Sequence, residues 1–372
     1  MVTKKKVSRR RSRRSTASQE EAVESAAASE AEVVGTEINA TTDAEAPIYS
    51  GQFLASPVAP SPAYWRNITE PLLGPGRGSQ DQAILQSLGP LAALIGTWAS
   101  TPANGYCVMP IPEASAANGY ILKNFPYYEE ISFSAIPGTA ANRGGVDEQD
   151  CYVLFYEQRV YFASGPQENR LVHAENGSWL HLIKTQQKLG AVGWMPMPTP
   201  PAPNPILPQD PASEIIKQMS VPHGNSILAV GGFERFAGAP EIPNVNALPS
   251  YQGRVLLPES FVQAYGPDVP SNPNVNPNYF LQQSLALTPE TVAETVFIDV
   301  TSETAGAGVV NSSYMRSHAN VSAYSTQLWL EFLESGVVQL QYSQNITMEL
   351  TQEEGPAIEF PHITANTLRR IA

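Results

Sequence analysis

The most regular alternation of hydrophobic and polar positions lies near the C-terminus. Val338, Leu340, Tyr342, Ile346, Met348 and Leu350 share one parity, with Gln339, Gln341, Ser343, Asn345, Thr347 and Glu349 on the other. A period of two is that of a β-strand, whose successive side chains point to opposite faces. Leu328, Leu330 and Phe332 form another strand just upstream, and the short Glu334-Ser335-Gly336 connection between the two suits a hairpin. Further strands are expected over 152–163, 169–175, 178–184, 226–231, 294–301 and 359–370. Helical spacing occurs near the start of this region, where Ala83, Ile84, Leu88, Leu91 and Leu94 lead straight into Gly96 and Trp98.

Many long strands with one short helix predict an all-β protein. An open sheet of this size would leave costly edges, so a closed antiparallel β-barrel over residues 80–372 is the expected fold. Two stretches break the pattern: 195–211 holds eight prolines, and 239–278 is rich in Pro, Asn and Gly. Proline removes the donor that a ladder needs, so both read as insertions.

Charge is distributed in blocks. Residues 1–14 carry eight bases, residues 15–46 carry eight acids and no base, and the remainder keeps the whole chain's net −13. The first 46 residues are poor in aromatics and read as a disordered tail, followed by a Pro/Gly-rich linker over 47–79. An acidic body offers nucleic acid no footprint, which leaves the N-terminal arm as the one segment suited to it. No run approaches the roughly 18–20 apolar residues of a membrane span. Glu20, Glu21, Glu24 and Glu30 stand where a secretory signal needs an apolar core, so a soluble, cytoplasmic protein is expected, or a nuclear one in a eukaryote. Cys107 and Cys151 are too few for a disulfide framework, and one bridge between them stays open. No hydrolase elbow, phosphate-binding loop, His-Glu-x-x-His or Cys-x-x-Cys is present.

Three blocks carry a resemblance: Pro90-Leu91-Ala92-Ala93-Leu94-Ile95-Gly96-Thr97-Trp98, His173-Ala174-Glu175-Asn176-Gly177-Ser178-Trp179, and the closing His362-Ile363-Thr364-Ala365-Asn366-Thr367-Leu368-Arg369-Arg370. In order and strand context they resemble the nitrobindin family of heme-binding, lipocalin-like barrels. The chain also looks like longer relatives of that family, which share stretches like Ala141-Asn142-Arg143-Gly144 and the segment from Val221 to Ala229. The resemblance implies a helix plugging the closed end, Trp98 as the plug with an arginine of the last strand over it, and heme b as cofactor. It makes His362 the proximal iron ligand, and the position of His173 a pocket-lining one that Glu175 would orient. It also implies chemistry on nitric oxide or peroxynitrite, which the family isomerises to nitrate. The family's Gly-rich run ending in Tyr-Pro-Thr is replaced here by Ala99-Ser100-Thr101-Pro102-Ala103-Asn104-Gly105-Tyr106, so the distal signature of that activity is missing.

Of the five histidines, His223, between Pro222 and Gly224, reads as a turn residue, and His181 and His318 read as surface positions. Two other functions fit the sequence. A lipocalin-like carrier of another apolar small molecule would keep the barrel without iron, and a structural or nucleic-acid-packaging protein would use the basic arm.

Overall fold

The computed structural model describes residues 84–101, 104–113, 115–116, 120–142, 147–186, 214–251, 254–255, 265–350 and 357–371. The tail over 1–46, the linker over 47–79 and the proline-rich stretch over 195–211 lie outside the described residues. The strands are β1 (Gly96–Ala99), β2 (Gly105–Pro112), β3 (Tyr120–Ala135), β4 (Ala140–Asn142), β5 (Asp147–Phe162), β6 (Leu171–Gln186), β7 (Ile215–Val221) and β8 (Asn225–Ala237), then β9 (Ser250–Tyr251), β10 (Arg254–Val255), β11 (Val292–Thr301), β12 (Gly308–Asn311), β13 (Asn320–Leu333), β14 (Val338–Leu350) and β15 (Ile358–Arg370). A 3₁₀ turn over Gly89–Leu94 continues a helical stretch at 84–88, and two further short helices are α1 (Tyr279–Ala286) and α2 (Ser313–His318).

Ten of these strands close an antiparallel barrel in which each pairs with its neighbours in the chain: β2, β3, β5, β6, β7, β8, β11, β13, β14 and β15, back to β2. The first strand position is split. β1 pairs with β3 and β15 towards one end, and β2 pairs with the same two strands further along. β11 and β12 likewise share one side of β8. The expected strand over 338–350 is present, and those over 294–301 and 359–370 are each longer by one or two residues.

The two strands expected over 169–175 and 178–184 are one. Gly177 between them makes no turn: a Cβ there would meet the Gln218 carbonyl oxygen at 1.9 Å, so glycine serves close approach of the neighbouring strand.

Side chains of inward parity stack in three layers along the barrel. At one end Leu88, Leu91 and Leu94 plug the interior against Trp98, Leu154, Leu340 and Leu368, all essentially without solvent contact. Trp98 donates its indole N–H to the Leu94 carbonyl at 2.6 Å, and the Arg370 guanidinium lies 4.9 Å from its ring centroid. His181 is not a surface residue as expected: it points inward with Trp179, and its Nδ1 lies 2.6 Å from the Ser87 carbonyl, fastening the plug. The middle layer is polar, and the far end opens into a cavity.

The outside of the barrel is not all solvent-facing either. Between β8 and β11, the described residues 239–251, 254–255 and 265–287 hold two-residue strands and α1, and Ile242 and Leu281 pack on the outer faces of β11, β13 and β15 against Phe297, Trp329 and Ala365. The polar parity of β14 is buried beneath them: Gln341 donates to the Leu281 carbonyl at 3.1 Å and to Thr367 Oγ1 at 2.8 Å. Cys107 and Cys151 are both free thiols.

Because Trp98 is fully buried and holds both the plug and Arg370, Trp98→Ala should cost about 3–5 kcal/mol of unfolding free energy, measured by urea denaturation.

Candidate functional site

The open half of the barrel holds a cavity of about 130 Å³ that opens to solvent at its mouth, smaller than the roughly 300–1,000 Å³ of most small-molecule sites. Its wall is largely apolar, with Met109, Phe125, Val160, Ile346 and Met348 among the contributors. At the rim α2 leans in through Met315, and the Ser312 N–H that precedes it donates to the Gly224 carbonyl at 2.8 Å.

Three histidines converge on this cavity. His362 sits on β15 with the inward parity of Phe360 and Thr364, and burial, reinforced by His173 and His223 nearby, holds its pKa down to about 4. It is a neutral imidazole at pH 7. Its Nε2 lies 3.4 Å from the Cys107 Sγ on β2, and burial pushes that thiol up, so it stays protonated. His173 on β6 is partly exposed and directs Nε2 to Glu175 Oε2 at 3.3 Å, the orienting contact that carboxylates give to ligating histidines. His223 sits in a turn as expected and is exposed, its ring at the cavity mouth 5.7 Å from that of His173, where partial burial lowers its pKa. Turn chemistry gave no sign of this, because the direction of a ring in a tight turn depends on the strand pair it closes. His318 is exposed on α2 as expected.

The floor of the cavity is the polar layer. Tyr127 and Tyr342 share a hydroxyl hydrogen bond of 2.8 Å, and Gln158 and Gln344 stand beside them. Below, Lys217 on β7 is 4% exposed and surrounded by acceptors: Glu175 Oε1 at 3.2 Å, the Tyr324 hydroxyl at 2.7 Å and Gln344 Oε1 at 3.2 Å. Three acceptors match the three N–H bonds of an ammonium, and the faces of Tyr156, Trp179 and Tyr324 lie within 5.5 Å of it. Burial pushes the Glu175 carboxyl up, but Lys217 and His173 outweigh this and hold it down at about 2. The sequence carries a trace of this layer, for Lys217 has the inward parity of Ile215, Met219 and Val221, and Glu129 that of Tyr127, Ile131 and Phe133. A charge on an apolar face is such a signal.

A bare ion and a porphyrin ask different donor sets of a chain. Among the described residues no three His, Cys, Asp or Glu side chains form a group that would hold a metal ion, whereas heme iron brings four nitrogens and needs one imidazole from the chain. Ligation through the His362 Nε2 requires the Cys107 thiol to give up its contact, and a thiol is a weak hydrogen-bonding partner. No family model matches the chain, and no curated protein or solved structure matches it either.

Glu175→Gln leaves the buried Lys217 ammonium without its directly bonded counter-charge and should destabilise the fold by about 3–5 kcal/mol. The double variant Glu175→Gln/Lys217→Met should recover most of that. The Glu175 carboxyl sits below its ordinary 4.5, so its contribution is present above pH 4.5 and fades as pH falls towards about 2. Acid unfolding of Glu175→Gln should lack that part of the slope.

Proposed function

We propose that the chain is a lipocalin-like barrel of the nitrobindin kind that binds heme b in its open half, with His362 as the iron ligand. The observation that carries this reading is a half-buried, neutral imidazole facing an apolar cavity, with two further imidazoles around the same space. A neutral imidazole presents a lone pair to iron without first losing a proton, and apolar walls keep water from competing for the site. His173, oriented by Glu175, and His223 contribute two more nitrogen donors to the cavity. When bound, ferric heme supplies a Lewis-acidic, redox-active iron, and nitric oxide and peroxynitrite are the substrates to assay at it. The chain's own part is to exclude water with its methionine and aliphatic walls and to hold the imidazole of His362 unprotonated.

A second reading has its own observation. The His362 Nε2 already has a partner in Cys107, and the wall is rich in flexible methionines that adapt to many apolar shapes. On that reading the cavity carries another apolar small molecule.

Titration of the purified protein with hemin should give a Soret band saturating near one heme per chain. His362→Ala should shift or abolish it and weaken binding by more than the roughly 10- to 100-fold that loss of an outer partner costs a metal site. A flat titration, with a lipid rather than a porphyrin recovered by solvent extraction and mass spectrometry, supports the carrier reading instead.

A further inference from the structure

The polar layer beneath the cavity holds two carboxyls and one ammonium. Glu175 is matched by Lys217. Glu129 on β3, 1% exposed, has only neutral hydrogen-bond partners among the described residues: the amides of Gln158 and Asn366, the latter at 2.6 Å, and the Tyr342 hydroxyl. An ionised Glu129 would therefore leave one negative charge uncompensated in the interior, which is costly at low dielectric.

A line of hydroxyls joins this carboxyl to the cavity. Tyr342 bonds to Glu129 and lies 2.8 Å from the Tyr127 hydroxyl, which reaches the cavity wall beside Thr364. On its other side Glu129 meets Asn366, whose amide donates to Ser100 Oγ at 3.0 Å, and an amide passes on no proton readily. The open route for a proton is towards the cavity.

We propose that Glu129 is the proton-exchange site of the cavity: it holds a proton while the cavity carries no positive charge, and releases it through Tyr342 and Tyr127 when a cationic centre binds above. The release is a simple ionisation, carboxylic acid to carboxylate, with the proton leaving by the cavity mouth. The consequence for ligand class is a preference for a porphyrin with a positive centre over an uncharged one. This inference rests on the cavity being the porphyrin site proposed above.

Burial lifts the Glu129 carboxyl to about 7, against the pull of its three hydrogen bonds and with a further push from Glu175. Burial also acts on the other groups facing this layer. Burial drives the phenols of Tyr127, Tyr156, Tyr324 and Tyr342 well up, and the Cys107 thiol with them. Burial lowers Lys217, against the charges of Glu175 and Glu129 and its hydrogen bond to Glu175, and His362 above is neutral.

Two measurements test this. Infrared titration of the ligand-free protein should show a protonated carboxyl band that disappears with a midpoint near pH 7 and is missing from Glu129→Gln. Glu129→Asp, which keeps an acid, should move the midpoint rather than remove the band. Calorimetry at pH 7 in buffers of different ionisation enthalpy should then find that hemin releases about half a proton more than zinc protoporphyrin, the fraction a group of pKa about 7 still holds there. That difference should vanish in Glu129→Gln. A carboxyl already ionised at pH 5.5, or an equal hemin–zinc difference in wild type and Glu129→Gln, overturns the inference. If hemin fails to bind at all, the heme reading falls, and the infrared titration alone decides whether Glu129 holds the exchangeable proton.

Discussion

The pairing of the last strand with the first closes the barrel, and every layer inside depends on it. β15 bonds to β14 along its whole length and to β1 and β2 on its other side. Without that closure the sheet would have two edges and no interior. The same strand contributes to each layer in turn: His362 to the cavity, Asn366 to the polar middle, and Leu368 and Arg370 to the plug under Trp98. One run of period two therefore reaches the cavity, the polar layer and the closed end at fixed spacing.

The polar middle is poorly explained as a source of stability. Replacing a buried ion pair by well-packed apolar residues is often neutral or stabilising. What Lys217 and Glu175 do here is divide the interior. Below them the leucines and Trp98 fill the barrel, and above them the side chains draw back and leave space. The carboxylate kept ionised by Lys217 in turn orients His173 at the cavity wall. A filled half and a hollow half in one barrel thus follow from where the charged layer falls.

Much of this was legible in the alternation of residues. The strand from Val338 to Leu350 was readable because its two parities differ so sharply, and the inward position of His362 follows from the parity of Phe360 and Thr364. Three things were not. Gly177 signals a break by composition, yet close approach of a neighbouring backbone also demands glycine, and one chain's sequence does not distinguish them. The polar face of β14 resembles any solvated face, because the segment that buries it comes from residues 239–287, far away in sequence. The split of the first strand into β1 and β2, the inward turn of His181, and the placing of His223 at the cavity mouth depend on how the ring closes rather than on local pattern.

The heme reading turns on whether the half-buried imidazole of His362 meets a ligand's iron in the open half of the barrel. Its most direct test is crystallography of the protein grown with hemin, locating the metal by its anomalous scattering at the iron edge. A single strong peak is expected inside the cavity, within bonding distance of the His362 imidazole. Iron bound elsewhere on the surface, or a cavity filled by an iron-free molecule with His362 still against Cys107, would contradict it.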